Sequence, residues 1–264
     1  MCGSSGDSSS LNAEGLGGGF FNSGSAHLLG CTFSANIAVG GSAGGIVVGP
    51  GGNGLGGGIF NTSQLTMTNC TIALNSTQGG AGNPSGSGLG GGVCNSNGIF
   101  SAMNVTIASN SVAAGYAFGT GSYPGTVTGA NVANTNGTLF LENSILAYPG
   151  TSGNACGTIT DGGYNMSSDG SADFESGSSF NFTDPQLLPL ADNGGPTFTM
   201  ALSSSSPAVG SGTSAGAPGL DQRGLPRPSG PAVDMGAYQL QQIEVLIPTL
   251  TLTRIQQLRT ALEN

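Results

Sequence analysis

Side chains able to carry acid–base chemistry are missing from most of the first half of this chain. Residues 15 to 141 contain no Asp, Glu, Lys or Arg, and their only imidazole, His27, lies between Ala26 and Leu28. Glycoside hydrolysis requires two carboxyl groups about 5 to 9.5 Å apart, and lyase chemistry requires a base and a stabilising cation. The sequence therefore predicts a non-catalytic first half, with His27 at the surface or at a coil edge.

Carboxylates become frequent only after Cys156. Asp161, Asp169 and Asp173 lie in the stretch DGGYNMSSDGSAD. Gly, Ser, Asn and Asp are typical of turns, so we interpret this stretch as a polar loop and predict no cofactor. A weak Ca²⁺ site is the most that these oxygen ligands suggest. A polysaccharide lyase or hydrolase site built on the three aspartates is the enzymatic alternative.

The cysteines indicate neither a complete disulfide framework nor zinc. There are five, at positions 2, 31, 70, 94 and 156, and no two form a CxxC pair. An odd count leaves at least one thiol unpaired. Cys31 and Cys70 occupy equivalent positions of a repeat, and we predict that both are small buried hydrophobes.

Charge narrows the classes of partner. The net charge is −9, Lys is absent, and all four Arg residues lie in the last 42 positions. Such a chain is repelled by nucleic acid and by anionic membranes. No apolar stretch is long enough to span a bilayer, and Met1 is not followed by a basic and then apolar signal segment. A charge-free stretch of 127 residues favours an extracellular or bacterial cell-surface location.

An internal repeat organises the first half. Its copies are GLGGGFFNSGSAHLLGCTFSAN (15–36), GLGGGIFNTSQLTMTNCTIALN (54–75) and GLGGGVCNSNGIFSAMNVTIASN (88–110), with a weaker fourth copy, GTLFLENSIL (137–146). The first two are offset by 39 residues and the next two by 34 and then 35. Repeats of this length indicate a solenoid, and the abundance of Gly, Asn, Ser and Thr excludes helical repeats.

Alternation within each copy predicts short strands. Leu65, Met67, Cys70 and Ile72 point inward in this interpretation, and the intervening threonines point outward. Short strands separated by glycine and asparagine corners predict an all-β, right-handed, single-stranded parallel β-helix over residues 1–183. Each coil then buries its apolar face only against its neighbours.

Recurrent asparagines form three predicted columns. Asparagine tolerates left-handed bends, and stacked amides can hydrogen-bond along the axis. We therefore predict three structural ladders. They are Asn22, Asn61 and Asn95; Asn36, Asn75 and Asn110; and Asn69, Asn104 and Asn143.

Insertions of variable length separate the copies. Residues 37–53, 76–87 and 111–136 are rich in Gly, Ser and Ala, and they are predicted to be loops on one face of the solenoid. These loops are the first candidates for a recognition surface. Thr32, Thr71 and Thr106 form one outward rank, which supports an ice-binding alternative.

The rhythm changes in the second half. We predict a C-terminal capping segment over 184–240, in which Asp221, Arg223, Arg227 and Asp234 form a salt-bridged clasp that closes the last coil. Residues 241–264 form a tail with a predicted helix, which places four apolar residues on one face. These are Leu252, Ile255, Leu258 and Leu262. The tail packs over an open end of the coil stack or serves in association.

Two resemblances accompany these patterns. The capping segment resembles the terminating region of bacterial choice-of-anchor Q domain proteins, and the repeats resemble those of chlamydial polymorphic outer-membrane proteins. The first rests on Asp184-Pro185, Asp192-Asn193-Gly194-Gly195-Pro196, Ser206-Pro207-Ala208, Asp221-Gln222-Arg223-Gly224, Arg227-Pro228 and Asp234-Met235-Gly236-Ala237. The second rests on Gly17-Gly18-Gly19-Phe20 with Phe33-Ser34-Ala35-Asn36, and on Gly56-Gly57-Gly58-Ile59 with Ile72-Ala73-Leu74-Asn75. Both imply a β-helical surface or secreted protein, and neither implies a reaction.

The combined expectation is a non-catalytic structural or adhesin-like module that displays loops to a glycan or a cell surface. Nucleic-acid binding and a membrane span are not expected. The alternatives are the polysaccharide-active enzyme, a self-assembling fibre subunit and an ice-binding protein. Self-association would use the coil ends or the C-terminal tail, because unpaired strand edges can pair with another chain.

Overall fold

The computed structural model describes residues 13–43, 49–228 and 233–241. The described residues contain strands and no helix, and most of the strands stack in parallel into a β-solenoid. The prediction of an all-β parallel solenoid is therefore confirmed. The predicted tail helix lies outside the described residues, of which Gln241 is the last.

Three coils of five strands begin the solenoid. Coil 1 contains β1 (Gly15–Leu16), β2 (Phe20–Asn22), β3 (Ser25–Leu29), β4 (Thr32–Ser34) and β5 (Ile37–Val39). Coil 2 contains β6 (Gly54–Leu55), β7 (Ile59–Asn61), β8 (Gln64–Thr68), β9 (Thr71–Ala73) and β10 (Ser76–Gln78). Coil 3 contains β11 (Gly88–Leu89), β12 (Val93–Ser96), β13 (Ile99–Met103), β14 (Thr106–Ala108) and β15 (Ser111–Ala113).

Later coils are shorter. Coil 4 contains β16 (Val127–Thr128), β17 (Val132–Thr135), β18 (Thr138–Glu142) and β19 (Ile145–Ala147), and coil 5 contains β20 (Ala155–Cys156), β21 (Thr160–Asp161) and β22 (Met166–Ser167). An antiparallel pair follows, β23 (Leu187–Ala191) with β24 (Thr199–Leu202). The solenoid thus narrows from five strands per coil to three.

Strands stack in the register that the repeat predicts. Gly15 pairs with Gly54, and Thr32 pairs with Thr71, both at the 39-residue offset. The first glycine of each GGG run adopts a positive φ, of 57° at Gly17 and 65° at Gly56. An ideal Cβ on Gly56 would lie 2.2 Å from the carbonyl oxygen of Ile59. Only glycine fits this corner, so the repeat keeps it.

The core runs along the solenoid axis. Leu65, Met67, Cys70 and Ile72 are all buried, which confirms the predicted inward set. Burial raises the pKa of the Cys70 thiol to about 12, consistent with a packing role. Cys31, its predicted equivalent, is only half-buried, because it lies in coil 1 at the edge of the stack.

The end of the last coil is closed by a loop that the sequence interpretation had assigned to the solenoid itself. Ala172 and Phe174 are buried and belong to the same hydrophobic core cluster as Leu141 and Ala155. The predicted C-terminal capping segment, 184–240, does not contain these two residues. Residues 184–228 and 233–241, here called the flank segment, run beside coils 1 to 4 instead. Polar side chains of the coils bond to the flank segment along this side of the solenoid.

Candidate functional site

The first predicted asparagine column is a continuous hydrogen-bond ladder. The Nδ2 of Asn22 donates to the Oδ1 of Asn61 at 2.7 Å, and Asn61 donates to Asn95 at the same distance. The ladder continues from Asn95 to Asn134 at 2.8 Å. Each amide also donates to a backbone carbonyl, so these buried groups are paired on several sides. Asn134 was missed, although it follows Asn95 by the 39 residues of the repeat.

The second column forms a similar ladder and then changes its source. Asn36 donates to Asn75, and Asn75 donates to Asn110, both at 2.9 Å. Asn110 donates to Asn131 at 2.8 Å, and Asn131 donates to Asn154 at 2.6 Å. Sequence reasoning missed these last two, because they follow their predecessors by only 21 and 23 residues.

A swap between glycine and asparagine explains the change of spacing. Gly92 precedes β12 as Asn131 precedes β17, and the following residues, Val93 and Val132, are paired. In coil 3 the amide of Asn110 lies against Gly92, where an ideal Cβ would approach it to 2.9 Å. In coil 4 the amide comes from Asn131, which donates to the Ala147 carbonyl at 2.8 Å. Either side of this corner can therefore supply the amide.

The third predicted column has a different role. Asn69, Asn104 and Asn143 all adopt a positive φ, of 50°, 53° and 50°. Their amides bond to the flank segment: Asn69 donates to the Leu220 carbonyl at 2.7 Å, and Asn143 donates to that of Thr213 at 2.8 Å. The expectation of an axial amide ladder is therefore replaced by a row of left-handed bends that anchors the flank segment.

The threonine rank beside these bends is covered by the flank segment. Thr71 donates to the Oε1 of Gln222 at 2.6 Å, and the Ala237 N–H donates to Thr106 at 3.0 Å. Thr71 and Thr106 are buried, and Thr32 donates to the Phe198 carbonyl. The rank that suggested ice binding is thus not a free surface, and that alternative loses its supporting observation.

The four predicted clasp residues are buried in one network, but at the flank. Arg223 forms a salt bridge with Asp221 at 2.7 Å and lies 3.7 Å from the centroid of the Tyr238 ring. Arg227 donates to Asn69 at 3.1 Å, which ties it to coil 2 and not to the last coil. The contacts of these residues therefore lie within the flank segment and with coil 2. Charges accumulate here because a buried guanidinium requires several acceptors.

Burial governs the titration of this network. Desolvation lowers the pKa of Arg227 to about 10, against the attraction of Asp221 and Asp234. Burial likewise raises the pKa of Asp234, although the N–H groups of Gly210 and Leu240 bond to its two oxygens. These shifts follow from packing in the flank. The carboxylate of Asp221 accepts from Arg223 and from the Leu225 and Gln239 N–H groups, which is a structural arrangement.

Two carboxylates after Cys156, those of Asp161 and Asp169, accept hydrogen bonds from the chain itself. Asp161 accepts from the Gly163 and Ser176 N–H groups, at 2.9 and 2.8 Å, and from Asn165 at 2.7 Å. Asp169 accepts from the Asn154 and Ser171 N–H groups at 2.9 and 3.0 Å. Both therefore act as turn-stabilising acceptors. Within the described part of the chain, no three His, Cys, Asp or Glu residues form a group that could hold a metal ion.

His27 lies on β3 with an exposed side chain and pairs in register with Thr66 of the next coil. The 27–66 pair belongs to the outer face of the solenoid, since the intervening Leu28 contacts the core. His27 is thus placed on the outer surface, as expected, with uncharged neighbours in its sheet. Neither β3 nor its paired strand β8 carries an Asp, Glu, Lys or Arg beside His27, and the acids of this sheet, Glu142 and Asp161, lie on β18 and β21.

The insertions pack on one another through their backbones. Their first three residues form β5, β10 and β15, so the loops proper are 40–53, 79–87 and 114–126. Five hydrogen bonds link these arms in a chain: Gly41 N to Ala13 O, Gly52 N to Gly41 O, Gly80 N to Gly52 O, Gly86 N to Gly80 O and Gly115 N to Gly86 O. We call the five linked glycines the glycine layer.

The glycine layer leaves no room for side chains. An ideal Cβ on Gly86 would lie 1.8 Å from the Gly52 carbonyl oxygen, and one on Gly115 would lie 1.8 Å from that of Gly80. Backbones approach this closely only where no Cβ intervenes. The insertions therefore extend the solenoid as a packed wall, and its last arm, residues 114–126, is here called the ledge.

Aromatic side chains project from the ledge. Tyr116 is 76% exposed and Tyr123 is 69% exposed, and Phe118 between them is half-buried. The Gly82 N–H bonds to the Tyr116 carbonyl at 3.0 Å, and the Ser85 N–H bonds to that of Tyr123 at 2.9 Å. Sequence reasoning selected this insertion but not its tyrosines. Large aromatics in a charge-free, glycine-rich stretch were the signal.

Comparisons with known proteins identify no relative. A scan against protein-family models, a search of curated proteins and a search of solved structures each find no match for this chain. Among the residues that the structure describes, no helix is long and apolar enough to cross a membrane.

Proposed function

We propose that this protein is a non-catalytic recognition module of the extracellular space or cell surface, which binds neutral glycan chains through the ledge. The observation that carries the proposal is the pair of tyrosines, Tyr116 and Tyr123, which project into solvent from a backbone-bonded arm. Apolar patches on the surface of a folded protein mark sites of interaction. Tyrosine is also enriched among residues that dominate binding energy.

Rigidity of the ledge favours binding. The carbonyls of both tyrosines accept hydrogen bonds from the arm below, and the N–H groups of Gly125 and Thr126 bond to Ser85 and Ser87. A surface already held in place loses little conformational entropy when a ligand arrives. Tyrosine adds to this advantage because its ring presents a large area with few rotatable bonds.

The chemistry of the ledge selects an uncharged ligand. No Asp, Glu, Lys or Arg occurs between residues 15 and 141, so the surface offers no counter-charge to an acidic or basic chain. The apolar C–H face of a sugar ring fits the face of a tyrosine, whose hydroxyl remains available for hydrogen bonding. Neutral polysaccharides combine these two features, and we therefore favour them over uronic-acid polymers.

The polysaccharide-active enzyme is the second candidate, and the carboxylates argue against it. The carboxylate oxygens of Asp161 and Asp169 already accept hydrogen bonds from backbone N–H, amide and hydroxyl groups of neighbouring turns. A glycosidase needs one carboxylic acid and one carboxylate facing a substrate. Asp161 and Asp169 are better accounted for as acceptors that stabilise the turns around the last coil.

Binding to immobilised neutral and acidic polysaccharides, with a reducing-end assay on the same samples, tests the proposal. We expect binding to a neutral polymer without release of reducing ends. Tyr116→Ala and Tyr123→Ala should each weaken binding about tenfold, the size of a moderate hot-spot loss. Tyr116→Phe should retain most of the affinity because the ring face remains.

A matched control distinguishes binding by the ledge from non-specific binding by any exposed aromatic ring. Phe182 is 81% exposed and lies in the loop near the last coil, so Phe182→Ala removes an exposed ring away from the ledge. Equal losses in Phe182→Ala and Tyr116→Ala, or binding only to acidic polymers, would contradict the proposal. Release of reducing ends would favour the enzyme instead.

A further inference from the structure

An apolar groove lies between coil 1 and the flank segment. Its volume is about 420 Å³, and its lining is mainly apolar. Its lining includes the side chains of Leu29, Asn69, Pro196, Pro218, Leu220 and Gln222. Leu29 is 61% exposed and Leu220 is 52% exposed, so two large aliphatic side chains border the groove without being covered.

The polar groups of the groove are already engaged. The Asn69 amide bonds to Leu220 and accepts from Arg227, and Gln222 bonds to Thr71 and Thr32. No strong donor or acceptor among them is left to orient a polar ligand. The groove therefore suits aliphatic side chains, which contribute by losing contact with water.

The described chain stops at the rim of this groove. The Nε2 of Gln241 donates to the Pro226 carbonyl at 3.2 Å and to the Gln239 carbonyl at 3.1 Å. Pro226 forms an antiparallel bridge with Leu220, which lines the groove. Gln241, the last described residue, therefore lies close to the groove.

The sequence beyond this point has the complementary pattern. Leu252, Ile255, Leu258 and Leu262 are spaced by three, three and four residues, which places them on one face of a helix. Arg254 and Arg259 are the only arginines outside the flank network, in a chain with a net charge of −9 and no lysine. We propose that residues 243–264 dock as an amphipathic helix on the groove, with the aliphatic face against Leu29 and Leu220.

Trypsin reports on this docking with little background. The chain has four arginines and no lysine. Arg223 and Arg227 are buried, and a proline follows Arg227, so rapid cleavage of the folded protein is confined to Arg254 and Arg259. We expect slow cleavage there in the full chain, and at least tenfold faster cleavage in Leu29→Asp and Leu220→Asp.

Controls keep the test independent of folding. Leu188 is 49% exposed and lies on β23, outside the groove, so Leu188→Asp should not change the cleavage rate. The urea midpoint of each variant shows whether the body remains folded. A tail variant, Leu258→Asp, should reproduce the acceleration of Leu220→Asp from the other side of the contact.

Two results would overturn the proposal. One is cleavage of the native chain at Arg254 as fast as that of the Leu220→Asp variant, while urea unfolding shows that both proteins remain folded. The other is a dimer by light scattering whose protection is lost on dilution, since the groove would then hold the tail of a second copy. Protection that is independent of protein concentration and lost in all three groove or tail variants supports docking within one chain.

Discussion

The glycine layer and the flank segment attach to the same solenoid by opposite means. In the layer, backbone meets backbone, and an ideal Cβ on Gly80 would lie 1.9 Å from the Gly41 carbonyl oxygen. In the flank, side chains meet backbone and other side chains, as when Gln222 bonds to Thr71 of coil 2 and to the Cys31 carbonyl of coil 1. One contact excludes side chains, and the other depends on them.

This difference explains where charge is found. The glycine layer satisfies its own N–H and C=O groups without side chains, so a long stretch without Asp, Glu, Lys or Arg folds there. The flank must satisfy bends at Asn69, Asn104 and Asn143 that point away from the axis. The long side chains of the flank reach the coils: Arg227 donates to Asn69, and Gln222 donates to Thr32.

A methyl group in the glycine layer should destabilise the protein most. In Gly86→Ala the new Cβ would lie 1.8 Å from the Gly52 oxygen, so the backbone arms must separate. We expect the free energy of unfolding in urea to fall by about 3 kcal/mol, the upper range for overpacking. At Gly24 nothing lies within 4 Å of an ideal Cβ, so Gly24→Ala serves as the control, and an equal loss in both variants would refute a packed layer.

The flank should respond to the loss of a side chain instead. Gln222→Ala removes the acceptor of the Thr71 hydroxyl and the donor to Thr32 and Thr197. Unsatisfied buried groups cost about 1 to 3 kcal/mol, so we expect a loss of about 2 kcal/mol in urea unfolding. Hydrogen exchange should increase in coils 1 and 2 first.

The exposed Gln78 on β10 provides the control for that substitution. We expect Gln78→Ala to change the free energy of unfolding by less than about 0.5 kcal/mol, as surface substitutions usually do. Unchanged exchange rates in coil 1 of the Gln222→Ala variant would mean that the flank segment contributes little to the solenoid.

The smallest effect on stability should appear at acidic pH, at Asp169 in the loop that follows β22. Burial opposes ionisation of Asp169, but hydrogen bonds from Ser171, Asn154 and Ser167 hold its pKa below the ordinary 3.8. Its contribution to stability is therefore complete above pH 3.8 and lost as the pH falls through the lowered pKa. Asp169→Asn should be less stable than the native chain at pH 7, and this difference should shrink towards pH 3.

Glu175→Gln controls for the change of one charge, because the side chain of Glu175 is exposed in the same loop. Urea midpoints at pH 7 and pH 3 measure both variants. A difference between Asp169→Asn and the native chain that stays constant over this range would show that the carboxylate charge is unimportant there.

The amino-acid sequence by itself determined the solenoid. The 39-residue offset set the register of Gly15 with Gly54, and alternation set the burial of Leu65 and Met67. Two asparagine columns followed from the same period. These features are predictable because each coil contacts its sequence neighbours, so that local pattern and packing agree.

The tertiary structure alone decided what covers the solenoid. Gln222 meets Thr71 across 151 residues, and Arg227 meets Asn69 across 158; no period connects these positions. Asn131, which continues the ladder after Asn110, comes from the other side of a corner. Only the three-dimensional path of the chain shows this. Thr71 and Thr106 are buried although their pattern predicts exposure, because burial by a distant segment depends on where that segment lies and not on the pattern that it covers.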